Sequence, residues 1–293
     1  MKKIYLLVLV SCIGFIGCEK VVDADNLLDT KEKIFINGYL SPSDTLLRIR
    51  VSKALPIIGT PLSRTDNQIN KNIFLVKNAL VTISNEDGDI VNLNYSEESE
   101  AYIALPSSLP ILEDERYFLK VIVKESEFNA SCKIPKKVEN ITETVSLYSD
   151  ELGNRKATIK LAFNDFAGVP DFYILGGYAK VIFEEQESYI NRLDFNLDRF
   201  LTDTFKDGTE LNAENTILLN NQDEIEILVK LQVAHVEALL YQNLRASELN
   251  NYNEGNPFIE YSIAPDNIEE ENGIGVFAGY SLTEKIISIK KNP

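Results

Sequence analysis

Short stretches in which apolar and polar residues alternate recur along most of the chain. KIFINGYL at 33–40 and LLRIRV at 46–51 follow a period of two, which is typical of a strand with one buried face. Asn85-Glu86-Asp87-Gly88 has the composition of a hairpin turn. Further strands are predicted at 79–83, 90–93, 102–105, 117–123, 157–163, 172–183, 217–219, 225–233, 276–280 and 286–289. The pattern therefore predicts a mainly β protein.

A clear helical period appears once. Val236, Leu239, Leu240 and Leu244 fall at positions i, i+3, i+4 and i+8, with polar side chains on the other face. The helix is expected to end near Asn250. The sequence thus predicts one amphipathic helix near 235–250, which we expect to pack against a sheet.

The length and composition suggest two domains. The chain has 293 residues, of which 44% are apolar, and a boundary signal lies near Ile134-Pro135-Lys136-Lys137. We expect two antiparallel β-sandwich (Ig-like) domains in tandem, over 34–135 and 138–293, with the helix in the second. The irregular stretch from Pro56 to Lys71 is longer than most loops, which favours a binding or mobile loop.

The N-terminus has the pattern of a lipoprotein signal peptide. Lys2 and Lys3 precede an apolar run at 4–16 that is too short to span a bilayer as a helix. The run ends in Phe15-Ile16-Gly17-Cys18, which resembles the lipobox of bacterial lipoproteins. That resemblance implies a signal peptide at 1–17 and lipidation of Cys18 by acyl chains such as palmitate. The alternative is an ordinary signal peptide with a chance cysteine.

The residues after Cys18 are polar and mostly acidic. Glu19, Lys20, Asp23 and Asp25 lie in a predicted tether at 18–33. They resemble the export signal that sends Bacteroidota lipoproteins to the outer leaflet of the outer membrane. We therefore expect a lipid-anchored outer-membrane protein that faces the cell exterior. A periplasmic face, with a tether that is only solvated, is the alternative.

Charge and cysteine content exclude some partners. The chain has 29 Lys and Arg against 45 Asp and Glu, and a net charge of −16 argues against nucleic acid. Of the three cysteines, Cys12 leaves with the signal peptide and Cys18 is acylated. Cys132 is then a single thiol without an internal disulfide partner, and we expect it to be a buried packing residue.

Catalytic and metal motifs are not apparent in the sequence. His235 is the only histidine, and its pairing with Cys132 as a catalytic dyad has no flanking motif to support it. The usual zinc ligands are too few, and neither a phosphate loop nor a dinucleotide fingerprint occurs. We therefore expect a protein that is not an enzyme and that has no cofactor and no metal.

Several segments resemble one family. The signature lies in residues 255–281, and two further segments at 163–175 (FNDFAGVPDFYIL) and 78–89 (NALVTISNEDGD) match the family's turn and hairpin. The signature positions are Asn256-Pro257-Phe258, Asn267-Ile268, Gly273 and Gly275-Val276-Phe277. Together they resemble a Bacteroidota lipoprotein family catalogued as domain of unknown function 4249. The resemblance implies an accessory lipoprotein of TonB-dependent outer-membrane transporters.

Two functional hypotheses follow. The first is a surface lipoprotein, held by its lipid, that docks on a TonB-dependent barrel and helps to capture or admit a nutrient. The second is a structural or assembly component of an outer-membrane complex without its own ligand. Tyr252, Phe258 and Tyr261 are candidates for a surface that binds the partner or a small-molecule, sugar or peptide ligand. The alternative is that Phe258 and Tyr261 complete the second core.

Overall fold

The computed structural model describes residues 32–55, 67–183, 188–195, 199–204, 207–219, 224–252 and 262–290. The strands within them are β1 (Lys33–Leu40), β2 (Leu47–Ala54), β3 (Leu80–Asn85), β4 (Ile90–Ser96), β5 (Ala101–Ala104), β6 (Arg116–Val123), β7 (Ser126–Lys133), β8 (Ile141–Ser149), β9 (Arg155–Asn164), β10 (Phe172–Phe183), β11 (Tyr189–Arg192), β12 (Phe200–Thr202), β13 (Glu210–Leu218), β14 (Glu224–Val236) and β15 (Gly273–Lys290). The helices are α1 (Asn67–Phe74) and α2 (Ala238–Tyr252), and Pro106–Ser108 forms a 3₁₀ turn. The protein is mainly β, as predicted.

The described strands form a large mixed sheet and a small antiparallel sheet. The large sheet has the order β11-β10-β14-β15-β1-β2-β5-β4-β3-β6-β7, and β12 also pairs with β10. The small sheet has the order β13-β9-β8. β1 and β15 run parallel, so the expectation of antiparallel sheets alone is wrong at this pair. The cause is topological, because the last strand returns beside the first strand and in the same direction.

β15 joins the two halves of the large sheet. Its first part, Gly273 to Gly279, pairs with β1, and the part from Tyr280 to Lys290 pairs with β14. The sequence predicted two separate strands here. The polar residues between them do not break the strand, because the hydroxyls of Ser281 and Thr283 are buried and donate to backbone carbonyls of the segment after β7.

Two main hydrophobic cores lie on either side of this strand. One is built from β1 to β7 and includes Tyr102, Tyr117 and Phe128. The other lies between the small sheet and the strands β10 and β14, where residues such as Leu161 and Leu231 pack together. Each core buries the alternating apolar positions that the sequence singled out.

The helix α2 packs on the large sheet, which confirms the expectation of a helix there, but Val236, which the pattern placed in the helix, is the last residue of β14. Leu240 and Tyr241 lie in a third buried cluster with Phe200 and with Val276 and Ala278 of β15. This cluster is separate from the two main cores. No helix in the described part of the chain is long and apolar enough to cross a membrane.

Some described elements were not predicted from the sequence: β7, β8, β11, β12 and α1. The strand β7 buries Phe128, Ala130 and Cys132, two of them small, so its alternation is weak in the sequence. The expectation of an irregular stretch from Pro56 to Lys71 is wrong at its end, where α1 begins at Asn67 and lies against β2. Residues 56–66 of that stretch lie outside the described residues.

Candidate functional site

The site residues expected from the sequence fall outside what the structure describes. Cys18 and the export-signal residues Glu19, Lys20, Asp23 and Asp25 precede the first described residue. Phe258 and Tyr261 lie in the gap at 253–261. Tyr252 is the last residue of α2, and its side chain is outside the described part. These assignments stay predictions.

The described residues contain a different candidate site, which is built around the turn between β9 and β10. Asp165 follows β9 directly, and Asp171 immediately precedes β10. The turn is tied to the segment before β13, since Asp165 N–H donates to Thr209 O at 3.0 Å and Gly208 N–H donates to Asp165 Oδ2 at 2.9 Å. Gly168 N–H donates to Asp207 Oδ1 at 2.8 Å. These bonds hold both aspartates at one end of the second core.

A third aspartate joins them from another strand. Asp203 follows β12, which pairs with β10, and its N–H donates to Asp171 O at 3.4 Å. One carboxylate oxygen from each of Asp165, Asp171 and Asp203 lies within 4.8 Å of the other two. The residues are only 8%, 7% and 3% exposed. We call these three residues the aspartate cluster.

The oxygens of the aspartate cluster differ in their partners. Tyr173 Oη–H donates to Asp165 Oδ1 at 2.6 Å, so both oxygens of Asp165 accept a hydrogen bond. Asp171 Oδ1 lies 3.0 Å from His235 Nε2. Asp171 Oδ2 and Asp203 Oδ1 are buried and have no hydrogen-bond partner among the described residues. Leaving such atoms unpaired in a protein interior is costly, which makes them the unusual feature of this site.

Hydrogen-bond geometry fixes the protons on the His235–Asp171 pair. His235 Nδ1 lies 2.7 Å from Lys136 O, and because a carbonyl only accepts, Nδ1 is the donor. The contact between Nε2 and Asp171 Oδ1 is a hydrogen bond only if a second proton lies between the two atoms, bound either to the imidazole or to the carboxylate. The pair is therefore neutral as a whole. Asp165 and Asp203 then add two negative charges to the buried cluster when they are ionised.

Burial also governs the acid strength of these groups. Burial raises the pKa of Asp171 above its ordinary value, the positive charge on His235 works against that rise, and the negative charge of Asp165 adds to it. Burial and the bond to Asp165 raise the pKa of Tyr173 far above its ordinary value. Tyr173 is therefore a neutral donor to the cluster over the whole physiological range.

An open cleft of about 450 Å³ reaches one edge of the cluster. Asp171 and His235 line it together with Phe166, which stacks on the imidazole with a ring separation of 5.5 Å. Lys133 and Lys136 lie at the same cleft. Asp114 and Glu237 line the cleft as well, and Asp114 pairs with both lysines at 3.5 Å. The site thus combines a buried acidic end with an open end lined by aromatic and charged side chains.

The sequence contained part of this site without revealing its role. FNDFAGVPDFYIL was singled out as a turn followed by an aromatic strand, and it supplies Asp165, Asp171 and Tyr173. The two aspartates flank a turn between β9 and β10, both of which the sequence predicts. Two acidic residues at the ends of one turn are a sequence signal for a shared site. His235 bonds to Asp171 and Lys136, and Cys132 lies in the other main core, so the structure gives no support to a Cys–His dyad.

Comparison with known families gives one match over most of the chain. A family model described as "Domain of unknown function (DUF4249)" matches residues 19–286. The matched range includes the aspartate cluster, His235 and β15 up to Ile286. No curated protein matches the chain.

Proposed function

Since this chain belongs to the family DUF4249, a domain of unknown function, we propose that it is a lipid-anchored outer-membrane protein. It serves as a non-enzymatic accessory subunit of a TonB-dependent transporter and helps to dock on the barrel or to capture a nutrient. The observation that carries the proposal is the apolar run that ends in Gly17-Cys18. The family match begins at residue 19, directly after the cysteine that would carry the lipid.

The anchor has a simple energetic basis. Each acyl methylene that enters the bilayer contributes about 0.8 kcal/mol, so two or more chains on Cys18 hold the protein on the membrane. The predicted tether at 18–33 can extend to roughly 50 Å. Such a tether allows the β body to reach a barrel partner beside its own anchor. The acidic residues Glu19, Asp23 and Asp25 support an orientation towards the cell exterior.

We also propose that each half of the fold is an Ig-like sandwich, with boundaries at 34–135 and 138–293. Tyr117 supports this for the first half. It lies at the start of β6, and its hydroxyl donates to Pro110 O at 2.9 Å and accepts from Leu112 N–H at 2.8 Å. A buried tyrosine that bonds to the backbone a few residues upstream is a hallmark of Ig-like domains.

Purification of the native lipoprotein from outer membranes tests the function. We expect a TonB-dependent barrel to co-purify with the wild-type chain. Cys18→Ser is the control, because it removes the acylated atom and leaves the folded part unchanged. A co-purifying assembly machine in place of the barrel would contradict the proposal and favour the structural hypothesis. Membrane-bound, processed Cys18→Ser protein would contradict the anchor.

A second arm of the experiment tests the partner surface. Alanine variants of Tyr252, Phe258 and Tyr261 are expected to lose the barrel while the Tm stays unchanged. A lower Tm with the barrel still bound would show that these residues complete the core instead. Tyr148 offers a matched control, since it is an exposed aromatic on β8 and is distant in sequence from residues 252–261.

A further inference from the structure

We propose that the aspartate cluster (Asp165, Asp171 and Asp203) binds a hard divalent cation, and that Ca²⁺ is the ion that fits it. The cluster gives three carboxylates within 4.8 Å of one another, each more than nine-tenths buried. Oxygen ligands of this kind are those that Ca²⁺ and Mg²⁺ prefer. The inference does not depend on the membrane anchor or on a transporter partner.

The two unpaired oxygens are the observation that points to a ligand. Asp171 Oδ2 and Asp203 Oδ1 are buried without a hydrogen-bond partner among the described residues, while both oxygens of Asp165 accept hydrogen bonds. A bound cation would satisfy both of these orphaned atoms at once. Asp165 can still share in the binding, because a carboxylate oxygen has more than one lone pair.

The surroundings of the cluster lead to the same conclusion. Three carboxyl groups lie together in a buried place. Among the described residues, no Lys or Arg forms an ion pair with Asp165 or Asp203. A divalent cation would supply the positive charge that these side chains do not.

The coordination preferences of the two ions favour Ca²⁺ over Mg²⁺, because Ca²⁺ accepts a flexible geometry and Mg²⁺ requires a near-ideal octahedron. Opposite ligands lie about 4.6–5.2 Å apart around Ca²⁺ and about 4.0–4.2 Å apart around Mg²⁺. The three carboxylate oxygens lie within 4.8 Å of one another, which is inside the span of a Ca²⁺ shell, and the flexible geometry of Ca²⁺ suits ligands that come from separate elements of the fold. Ca²⁺ takes six to eight ligands, so the remaining positions would be filled by water from the cleft that Asp171 lines.

The local fold explains what the ion would do. The three carboxylates come from the β9–β10 turn and from the end of β12, and Asp171 contacts His235 of β14. A cation would join these elements at one end of the second core. Its binding would stabilise the folded state by mass action, because the unfolded chain does not hold the three groups together.

The test is thermal unfolding of the full lipoprotein in detergent after EDTA treatment, with CaCl₂, MgCl₂ or ZnCl₂ as the probe. We expect Ca²⁺ to raise the Tm of the wild type in a saturable way and Mg²⁺ to act only at much higher concentration. Asp203→Asn should weaken Ca²⁺ binding by about 100-fold or more, since even changes outside the ligand shell cost about 10–100-fold. In EDTA, Asp203→Asn should be at least as stable as the wild type, because it removes a buried charge.

Asp207→Asn is the matched control. Asp207 is exposed, lies close in sequence to Asp203 and contacts the turn through Gly168, and the amide oxygen of Asn can still accept the hydrogen bond from Gly168 N–H. It should respond to Ca²⁺ like the wild type. A wild-type Tm that is the same in EDTA and in Ca²⁺ would overturn the proposal and indicate that protons neutralise the cluster. Equal stabilisation by Mg²⁺, or stabilisation by Zn²⁺ alone, would overturn the assignment to Ca²⁺.

Discussion

Burial determines the reactivity of the Cys132 thiol. Cys132 is 1% exposed and lies in the first core, in register with Tyr117 on the neighbouring strand. Burial raises the pKa of the Cys132 thiol well above its ordinary value, and the negative charge of Glu237 adds to the rise. A nucleophilic cysteine needs a thiolate, and this environment disfavours one. The prediction of a buried packing residue is confirmed.

The Cys132 thiol should therefore react slowly in the folded protein. In a chain that begins at Glu19, Cys132 is the only cysteine. We expect labelling by a maleimide at pH 8 to be on the order of 100-fold slower than in denaturant, because it requires opening of the core. The raised pKa also means that the stability contributed by the neutral thiol is complete below about pH 8.5 and is lost as the pH rises further.

The control for this prediction is a thiol at an exposed place on the same strand. Ser126 is exposed at the start of β7, so Ser126→Cys in a Cys132→Ala background should label rapidly without denaturant. Equal rates for the two thiols in the native protein would show that Cys132 is accessible. Urea titration of both variants verifies that they are folded.

The sequence could supply only part of the candidate site. Asp165, Asp171 and Tyr173 lie within one segment that resembles the family, so their proximity could be anticipated. Asp203 follows β12 and His235 lies in β14, and only the pairing of these strands with β10 brings them to the turn. Strand pairing over such distances depends on packing that a local pattern does not encode. Burial of the carboxylates is equally invisible in a chain with 45 acidic residues.

At the level of elements, β15 depends on glycine at its start. Gly275 has φ of +131°, a region in which other residues are strained. It lies in register with Ile36 of β1, and a Cβ at this position would be 1.8 Å from Ile36 O. The parallel pairing of β1 and β15 therefore requires a residue without a side chain. Gly275 is one of the signature positions named in the sequence analysis, and the structure gives it a steric role at the start of β15.

Gly275→Ala should be strongly destabilising. We expect a loss of about 3 kcal/mol or more in the free energy of unfolding, from backbone strain together with the clash against Ile36 O. Gly88→Ala is the control, because Gly88 also has a positive φ, +89°, but has open space around its Cβ position. That variant should lose only about 1–2 kcal/mol. Urea unfolding measures both, and equal losses would argue against a close approach of β1 and β15.

The strands themselves were predicted with uneven success, for physical reasons. The bounds of β1 and β10 agree with the sequence pattern, because each has a long, regular apolar face. The strand β8 is mostly exposed and gave no such signal. β15 was divided in two, since its buried Ser281 and Thr283 look like a polar turn until their partners are known. The alternation of apolar and polar residues thus detects strands that bury apolar side chains. It misses strands that are mostly exposed and stretches of strand that bury polar side chains.

At the scale of the whole molecule, the two halves are connected by more than the chain. β15 contributes Phe277 to the first core, and Ile287 of the same strand packs against the second. Glu237 lies between β14 and α2, and its carboxylate accepts from Lys133 N–H and from Gly279 N–H, both at 2.7 Å. Because β15 contributes side chains to both cores, detachment of this strand would expose part of each core to solvent.

This connection predicts that both cores unfold in one transition. A chain with two separate cores ordinarily unfolds in steps, so a single transition would be informative. Hydrogen exchange in increasing urea, followed by mass spectrometry, can monitor β6 in the first core and β9 in the second. We expect the slowest amides of both strands to open with the same free energy and the same dependence on urea.

Glu237→Ala sharpens the test because it removes the carboxylate whose two oxygens each accept a hydrogen bond from one backbone N–H, Oε1 from Lys133 and Oε2 from Gly279. Leaving these groups unpaired should cost about 1–3 kcal/mol, and the loss should be equal in β6 and β9 if the halves unfold together. Glu284→Ala is the matched control, since Glu284 pairs with Lys230 at the surface and should cost less than about 1 kcal/mol. A loss confined to one strand would show that the two halves are independent domains, each with its own stability. In that case β15 would connect the two domains without coupling their unfolding.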